Sequence, residues 1–296
     1  MDHRRLVAGL SLAERNRLTT KSNRAGLLHL AGHLGALAVC GTLIVLRVPF
    51  WPVLMLPQGI LIVFLFTLLH EAVHRTPFAS GWLNNVVARV CGFALALPSD
   101  WFRYFHFAHH RFTQDPANDP ELAEPKPQTW WQYIRHLSGL PVWRSHLRQL
   151  LVNAAGRCRD GFVTEKGRAQ VQREARLMLL GYAVLVGLSF ALHTPVLLFV
   201  WLIPALLGQP FLRLYLLAEH GGCPYVANML ENSRTTMTTW LVRKLAWNMP
   251  YHAEHHAFPG VPFYLLPEFH KLTRPYLQEI EPGYIHFHRR YASGLH

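Results

Sequence analysis

The chain has 296 residues, 51% of them hydrophobic and only 16% charged, whereas an ordinary soluble protein carries about 25% charged residues. That balance excludes a typical soluble enzyme and makes an integral membrane protein the working class. The formal net charge of +12 does not point to nucleic acid, because the basic residues are scattered through the polar segments and build no compact basic helix with interleaved aromatics.

Residues 1–25 are polar, carry six Lys or Arg and lack an apolar core ahead of a small-residue cleavage site, so they read as a cytoplasmic arm and not a signal peptide. Residues 26–46 are apolar apart from His29 and His33 and long enough to cross a hydrocarbon core of about 30 Å. Arg47-Val48-Pro49-Phe50-Trp51-Pro52 is a turn with an interfacial Trp, and residues 53–74 run back, ending in the pair His70 and His74. Residues 84–97 are too short for a span and suit a re-entrant or interfacial helix.

A second histidine cluster follows, and the turn-rich stretch Asp115-Pro116-Ala117-Asn118-Asp119-Pro120 must stop its helix by Asp115. From Trp130 to Leu151, apolar residues alternate with Arg135, Arg144 and Arg148, a pattern for a helix lying on the bilayer surface. Residues 177–193 and 196–217 are two further spans, separated by His193-Thr194-Pro195. Their plan resembles that of the first pair, which suggests a weak internal repeat. The cysteines Cys40, Cys91, Cys158 and Cys223 form no C-x-x-C pair and indicate neither a thiolate metal site nor a disulfide framework.

The expected architecture is therefore one all-α, multi-pass membrane domain over residues 1–296, with four spans in two hairpins and interfacial helices. Of the 29 Lys and Arg, only Arg47 falls in the two short far-side loops. The positive-inside rule then assigns both termini and a cap of residues 75–176 and 218–296 to the cytoplasmic face.

The histidines are the chemical signal. His252, His255 and His256 are spaced i, i+3, i+4, as are His106, His109 and His110, while His70 and His74 are spaced i, i+4. Such spacings put each set on one helix face. Imidazole is the commonest nitrogen ligand for transition metals, and eight of them exceed what one tetrahedral zinc can use, so at least two metals are expected. His70-Glu71-Ala72-Val73-His74 also fits the zinc-protease pattern H-E-x-x-H, with Glu71 activating water. A one-zinc protease leaves the other two clusters without work.

Neutral imidazoles leave such a site cationic, so carboxylates are expected to orient the ring N–H groups, and Glu71, Asp115, Asp119, Glu219 and Glu254 lie beside the clusters. The competing roles are turn capping for Asp115 and Asp119, and pairing with Arg213 or Arg234 for Glu219. Arg213, two helical turns before His220, either binds a substrate headgroup or snorkels to the interface. The isolated His29, His33, His136, His146, His193, His270, His286, His288 and His296 receive no site role.

Together, these boxes and spans resemble the membrane fatty acid desaturase and hydroxylase superfamily, over about residues 26–270. The stretch Trp247 to Phe263 and the run His109-His110-Arg111-Phe112-Thr113 followed by Asp115-Pro116 and Asp119-Pro120 resemble its bacterial-type acyl-lipid branch. The resemblance implies a non-haem di-iron centre using O2 to take hydrogen from an acyl chain, with two electrons supplied by ferredoxin, rubredoxin or cytochrome b5. The substrate would be a fatty acyl group on lipid, acyl-CoA or acyl carrier protein, and the product most simply a cis double bond. It also implies a lone histidine near the end of the fourth span, matched by His220, which brings the ligand set to nine. Some members carry an Asn one turn earlier; here Leu216 stands there, leaving a coordination position open for oxygen or served by Asn248. A hydroxylase, ketolase or alkene-forming decarboxylase would use the same centre, whereas a metal transporter would hold its ligands at the bilayer midplane.

Overall fold

Ser22 opens the first long helix by accepting the Ala25 amide at 3.3 Å, and α1 then runs Asn23–Val45. In this computed structural model, which describes residues 1–296, the helices that follow are α2 (Trp51–Val63), α3 (Leu65–His74), α4 (Gly81–Ala94), α5 (Ser99–Phe112), α6 (Trp130–Leu137), α7 (Leu140–Ala154), α8 (Glu165–Ala191) and α9 (Ile203–His220). The last third of the chain carries α10 (His252–Ala257), α11 (Leu266–Thr273) and α12 (Tyr284–Ser293). Four segments, Leu12–Val45, Trp51–His74, Glu165–Ala191 and Leu198–His220, are long and apolar enough to cross a membrane. The all-helical expectation omits one small feature, a parallel ladder pairing β1 (Thr235–Thr236) with β2 (Ile280–Glu281).

The second and fourth spans meet most closely, through glycine. A Cβ on Gly59 of α2 would lie 1.9 Å from the Pro204 carbonyl oxygen, and one on Gly208 of α9 would lie 2.3 Å from the Gly59 backbone. Lipid offers no hydrophobic drive between helices, so such close backbone approach is what binds them. Gln58 Nε2 adds a hydrogen bond to the Val200 carbonyl at 3.0 Å. The α2–α9 contact thus fixes the segments that carry His70, His74 and His220 relative to each other.

Three elements differ from the sequence expectation. The return span breaks at Phe64 into α2 and α3. The surface helix breaks at Gly139, whose φ of +67° and 2.5 Å approach of a built Cβ to Gln209 Cγ admit only glycine. On either side, Trp130, Trp131, Ile134, Leu140, Leu147 and Leu151 remain exposed, as an interfacial helix pair requires. The third span starts at Glu165, well before residue 177, and this polar extension has a job: Glu174 accepts from Ser99 N, Ser99 Oγ and Asp100 N at 3.0, 2.5 and 2.7 Å. A carboxylate there satisfies the free amides at the start of α5, the helix of the second histidine cluster.

The polar C-terminal segment closes over the end of α9. Arg234, fully buried, donates to the carbonyls of Ala218 and Gly221 at 2.7 and 2.8 Å and to Glu279 at 2.9 Å, and lies 4.9 Å over the Phe287 ring. A cation on the last carbonyls of a helix is the favoured arrangement.

Candidate metal centre

All nine of the expected histidines converge, although they come from four helices far apart in sequence. Ligand atoms of His70, His74, His106, His110 and His255 lie within 4.8 Å of one another, and those of His109, His220 and His256 form a second such group. His252 joins the second group through His220, Nε2 to Nε2 at 2.9 Å. Adjacent histidines of one box therefore point to different groups: His109 and His110 part company, as do His255 and His256.

The ring nitrogens approach as metal ligands do. Nε2–Nε2 separations are 2.8 Å for His74–His106, 3.2 Å for His109–His220 and 3.2 Å for His110–His255. With metal–nitrogen bonds of about 2.1 Å, two ligands at right angles on one ion stand about 3 Å apart. A hydrogen bond between neutral rings cannot account for the second group. His109 and His220 each donate through Nδ1, to Asp119 Oδ1 at 2.9 Å and to the Asn232 carbonyl at 3.1 Å, so in neutral rings two bare Nε2 lone pairs face each other. Both nitrogens of His70, Nδ1 of His110 and Nε2 of His256 are buried without any partner. An unmatched buried polar atom costs about 1–3 kcal/mol, and a cation in each group would take up one nitrogen of His70 and Nε2 of His256, so the donor set fits two nitrogen-liganded metals.

Burial first, and repulsion among neighbouring histidines second, hold the pKa values of His106, His110, His252, His255 and His256 well below the usual imidazole value. They are neutral, the form that binds metal. Burial acts the same way on His109, but Glu121 and Asp119 outweigh it and raise its pKa.

The residues expected to orient the ligands divide into two sets. Asp119 holds His109, and Glu71 and Glu219 place an oxygen 3.4 Å from His255 Nδ1 and 3.3 Å from His252 Nδ1, in ion-pair range but without hydrogen-bond alignment. Glu71 also accepts from Thr76 Oγ1 at 2.9 Å and the Phe263 amide at 3.1 Å. The other three point elsewhere. Asp115 accepts from the Ala117 amide and Asn118 Nδ2, both within its own turn. Asn248, in the left-handed region at φ 56°, donates to the Phe263 carbonyl at 2.9 Å. Glu254 faces away from the groups and accepts from Thr235, Thr273 and His270, anchoring α10 from behind. His270, given no role from sequence, is thus a support of the third box.

Sequence reasoning missed two further features. Thr113 Oγ1 lies 3.1 Å from His256 Nδ1. More important, Glu121 Oε2 lies 3.4 Å from His109 Nε2, the side of the ring that faces His220, and Glu121 is paired with Lys126. Burial alone would raise the Glu121 carboxyl, but Lys126 and His109 outweigh it and hold it below the usual carboxylate range. Its position two residues after Asp119 was the only sequence clue.

A cavity of about 470 Å³ opens from His70, His106, His109 and His252. Phe66, Leu216 and Leu217 line it from the second and fourth spans, and Trp101, Phe102 and Phe105 line it from α5. Arg213, His136 and His146 also line it, so the last two are neither isolated nor confined to the bilayer surface.

Against known proteins, the family model described as fatty acid desaturase matches residues 46–288. The chain is 26% identical over 283 residues to the dihydrorhizobitoxine desaturase of Bradyrhizobium elkanii, covering 88% of this chain and 77% of that protein. It is 25% identical over 257 residues to the sn-1 oleoyl-lipid 12-desaturase of a Picosynechococcus species, covering 79% and 72%. An omega-6 fatty acid desaturase of the endoplasmic reticulum from Glycine max is 24% identical over 261 residues, covering 77% and 66%. With the family model spanning most of its length and all three histidine boxes, the chain belongs to the fatty acid desaturase family and is an oxidoreductase.

Proposed function

We propose that the protein is an O2-dependent di-iron oxidoreductase that introduces a cis double bond into a fatty acyl chain. The observation that carries this is the division of nine histidines into groups of five and four in which the nearest ring nitrogens stand 2.8–3.2 Å apart. His70, His74, His106, His110 and His255 would hold one iron, and His109, His220, His252 and His256 the other. Glu121, whose Oε2 lies 3.4 Å from His109 Nε2, would offer an oxygen to the four-histidine group. Iron, when bound, supplies the activation of oxygen needed to remove hydrogen from an unactivated carbon.

The chain's own part is to orient and to exclude water. Asp119, the Asn232 carbonyl and Thr113 fix the ring planes of His109, His220 and His256 from their Nδ1 side. Phe66, Phe102 and Leu216 give the cavity an apolar wall against which a methylene can rest. The protease reading draws no support, because Glu71 accepts from Thr76 and the Phe263 amide through Oε2 and turns Oε1 toward His255 Nδ1.

In this reading the four spans form two hairpins, and the single domain spans residues 1–296. Both termini and the histidine centre are cytoplasmic, supported by the absence of basic residues other than Arg47 from the two short turns. Electrons arrive from an acidic carrier such as ferredoxin, rubredoxin or cytochrome b5, which the basic face suits. The test is to express the chain with and without His255→Ala, quantify iron and zinc, and profile host lipids. Two irons per chain and a new double bond that depend on His255 support the proposal; zinc with unchanged lipids overturns it.

A further inference from the structure

The cavity beside the histidine groups is not the plain oily slot an acyl tail alone would need. Its acidic groups are already engaged: Glu121 with Lys126, Glu219 beside His252, and Asp160 with Trp101 Nε1 and Gln149 Nε2 at 2.9 and 3.0 Å. Glu124 lies exposed at the rim. Arg213 is different. Its one side-chain bond is from Nε to the neutral Gln209 Oε1 at 3.2 Å, and no carboxylate lies within 4.0 Å of its guanidinium. A guanidinium lining this cavity with no carboxylate in direct contact, the nearest acidic groups being Glu121, Glu124 and Glu219, has donors free for the anion of a ligand.

Two neighbours repeat the pattern. His136 packs against the Arg213 backbone with its buried Nε2 in no well-formed hydrogen bond, and His146 uses Nδ1 on the Leu95 carbonyl at 3.1 Å, leaving its other nitrogen unbonded. Both line the same cavity as Arg213. They come from α6 and α7, the pair hinged at Gly139, which packs directly on Gln209, the residue that holds Arg213. The break in the surface helix is therefore part of this pocket.

We infer that Arg213, His136 and His146 form a receptor for an anionic head, a carboxylate or a phosphate, on a single-chain substrate whose tail lies against the histidine groups. The planar guanidinium suits either oxyanion in a two-point contact. At roughly 30 Å³ per heavy atom, taking the share a water occupies in the liquid, about 470 Å³ holds some fifteen heavy atoms. Arg213 stands seven residues before His220, about 10 Å along the helix, so the carbon attacked lies within a short chain length of the head. This rests on the reading of the histidine groups as the oxidation site and narrows its substrate to a free acid or phosphate ester, excluding chains on a neutral glycolipid.

The test is calorimetric binding to the full-length protein in phosphatidylcholine nanodiscs, anaerobic and without reductant, so that no turnover occurs. The probes are octanoate, octyl phosphate and octanamide. At least one anion should bind tenfold or more tightly than octanamide, and the better of the two tells a free acid from a phosphate head. Arg213→Gln should bring the anions within about twofold of octanamide, while Arg213→Lys keeps part of the preference. Equal binding of all three by the unaltered protein overturns the inference, as does an unchanged preference in a folded Arg213→Gln. Metal content measured on the same samples separates this from the oxidase proposal: anion preference without iron would sink that reading and leave the receptor standing.

Discussion

Gly59→Ala tests whether helix packing in the membrane positions the histidines. The added methyl would sit 1.9 Å from the Pro204 carbonyl oxygen, and carbon–oxygen contacts settle no closer than about 3.3 Å, so α2 and α9 must part by roughly 1.4 Å. The obstacle is backbone on the facing helix, which cannot rotate away as a side chain would. Overpacking of this kind costs typically 1–3 kcal/mol, here toward the upper end. Metal ligands tolerate only about 0.2 Å, and α2 leads into the helix of His70 and His74 while α9 ends in His220, so the two groups are pulled apart. The purified variant should melt several degrees lower and retain less than a tenth of the metal, read by differential scanning fluorimetry and plasma mass spectrometry. Gly35→Ala in α1, where an added Cβ meets nothing within 4 Å, is the matched control and should keep both. If Gly59→Ala keeps full metal content and the control's melting temperature, the glycine contact does not set the site's geometry.

Asp119→Asn should weaken metal binding about 10- to 100-fold, the usual cost of losing a partner on a ligand's far nitrogen, and a competing chelator titration measures it. Glu121→Gln should alter the Mössbauer parameters of one iron and not the other if its oxygen serves the four-histidine group; identical spectra would remove it from the coordination shell. Glu254→Ala leaves the buried donors of Thr235 and His270 without their acceptor and should cost about 1–3 kcal/mol for each in unfolding experiments. Chelation of the bound metal should lower the melting temperature of the unaltered protein, because ligand binding to the folded state alone is stabilising; no shift would mean the histidine groups fold without metal support.

Much of the site was legible in advance because its parts are local. Spacings of i, i+3 and i+4 place His106, His109 and His110 on one side of a helix whatever surrounds it, and long apolar runs announce spans without tertiary information. Polar residues beside those histidines were harder to sort. Asp115 and Asp119 look alike in sequence, yet the turn directs Asp119 onto His109 and leaves Asp115 bonded to its own loop. Glu254 sits between box histidines and faces the other way, because the α10 helix places it on the opposite side, toward His270.

From its sequence alone the chain declared membrane spans with clustered histidine ligands at the ends of its helices, since composition and helical periodicity are properties of short segments, and the oxidoreductase reading came from the family resemblance of those boxes. The crossing of α2 and α9 at Gly59 and Gly208 and the seating of α6 and α7 against Gln209 belong to the tertiary structure alone. Those contacts join residues far apart in the chain, 149 positions for Gly59 and Gly208 and 70 for Gly139 and Gln209, and nothing in the local pattern records which helix faces which. They decide that His109 and His110 serve different groups, that Glu121 reaches one of them, and that Arg213, His136 and His146 share a cavity.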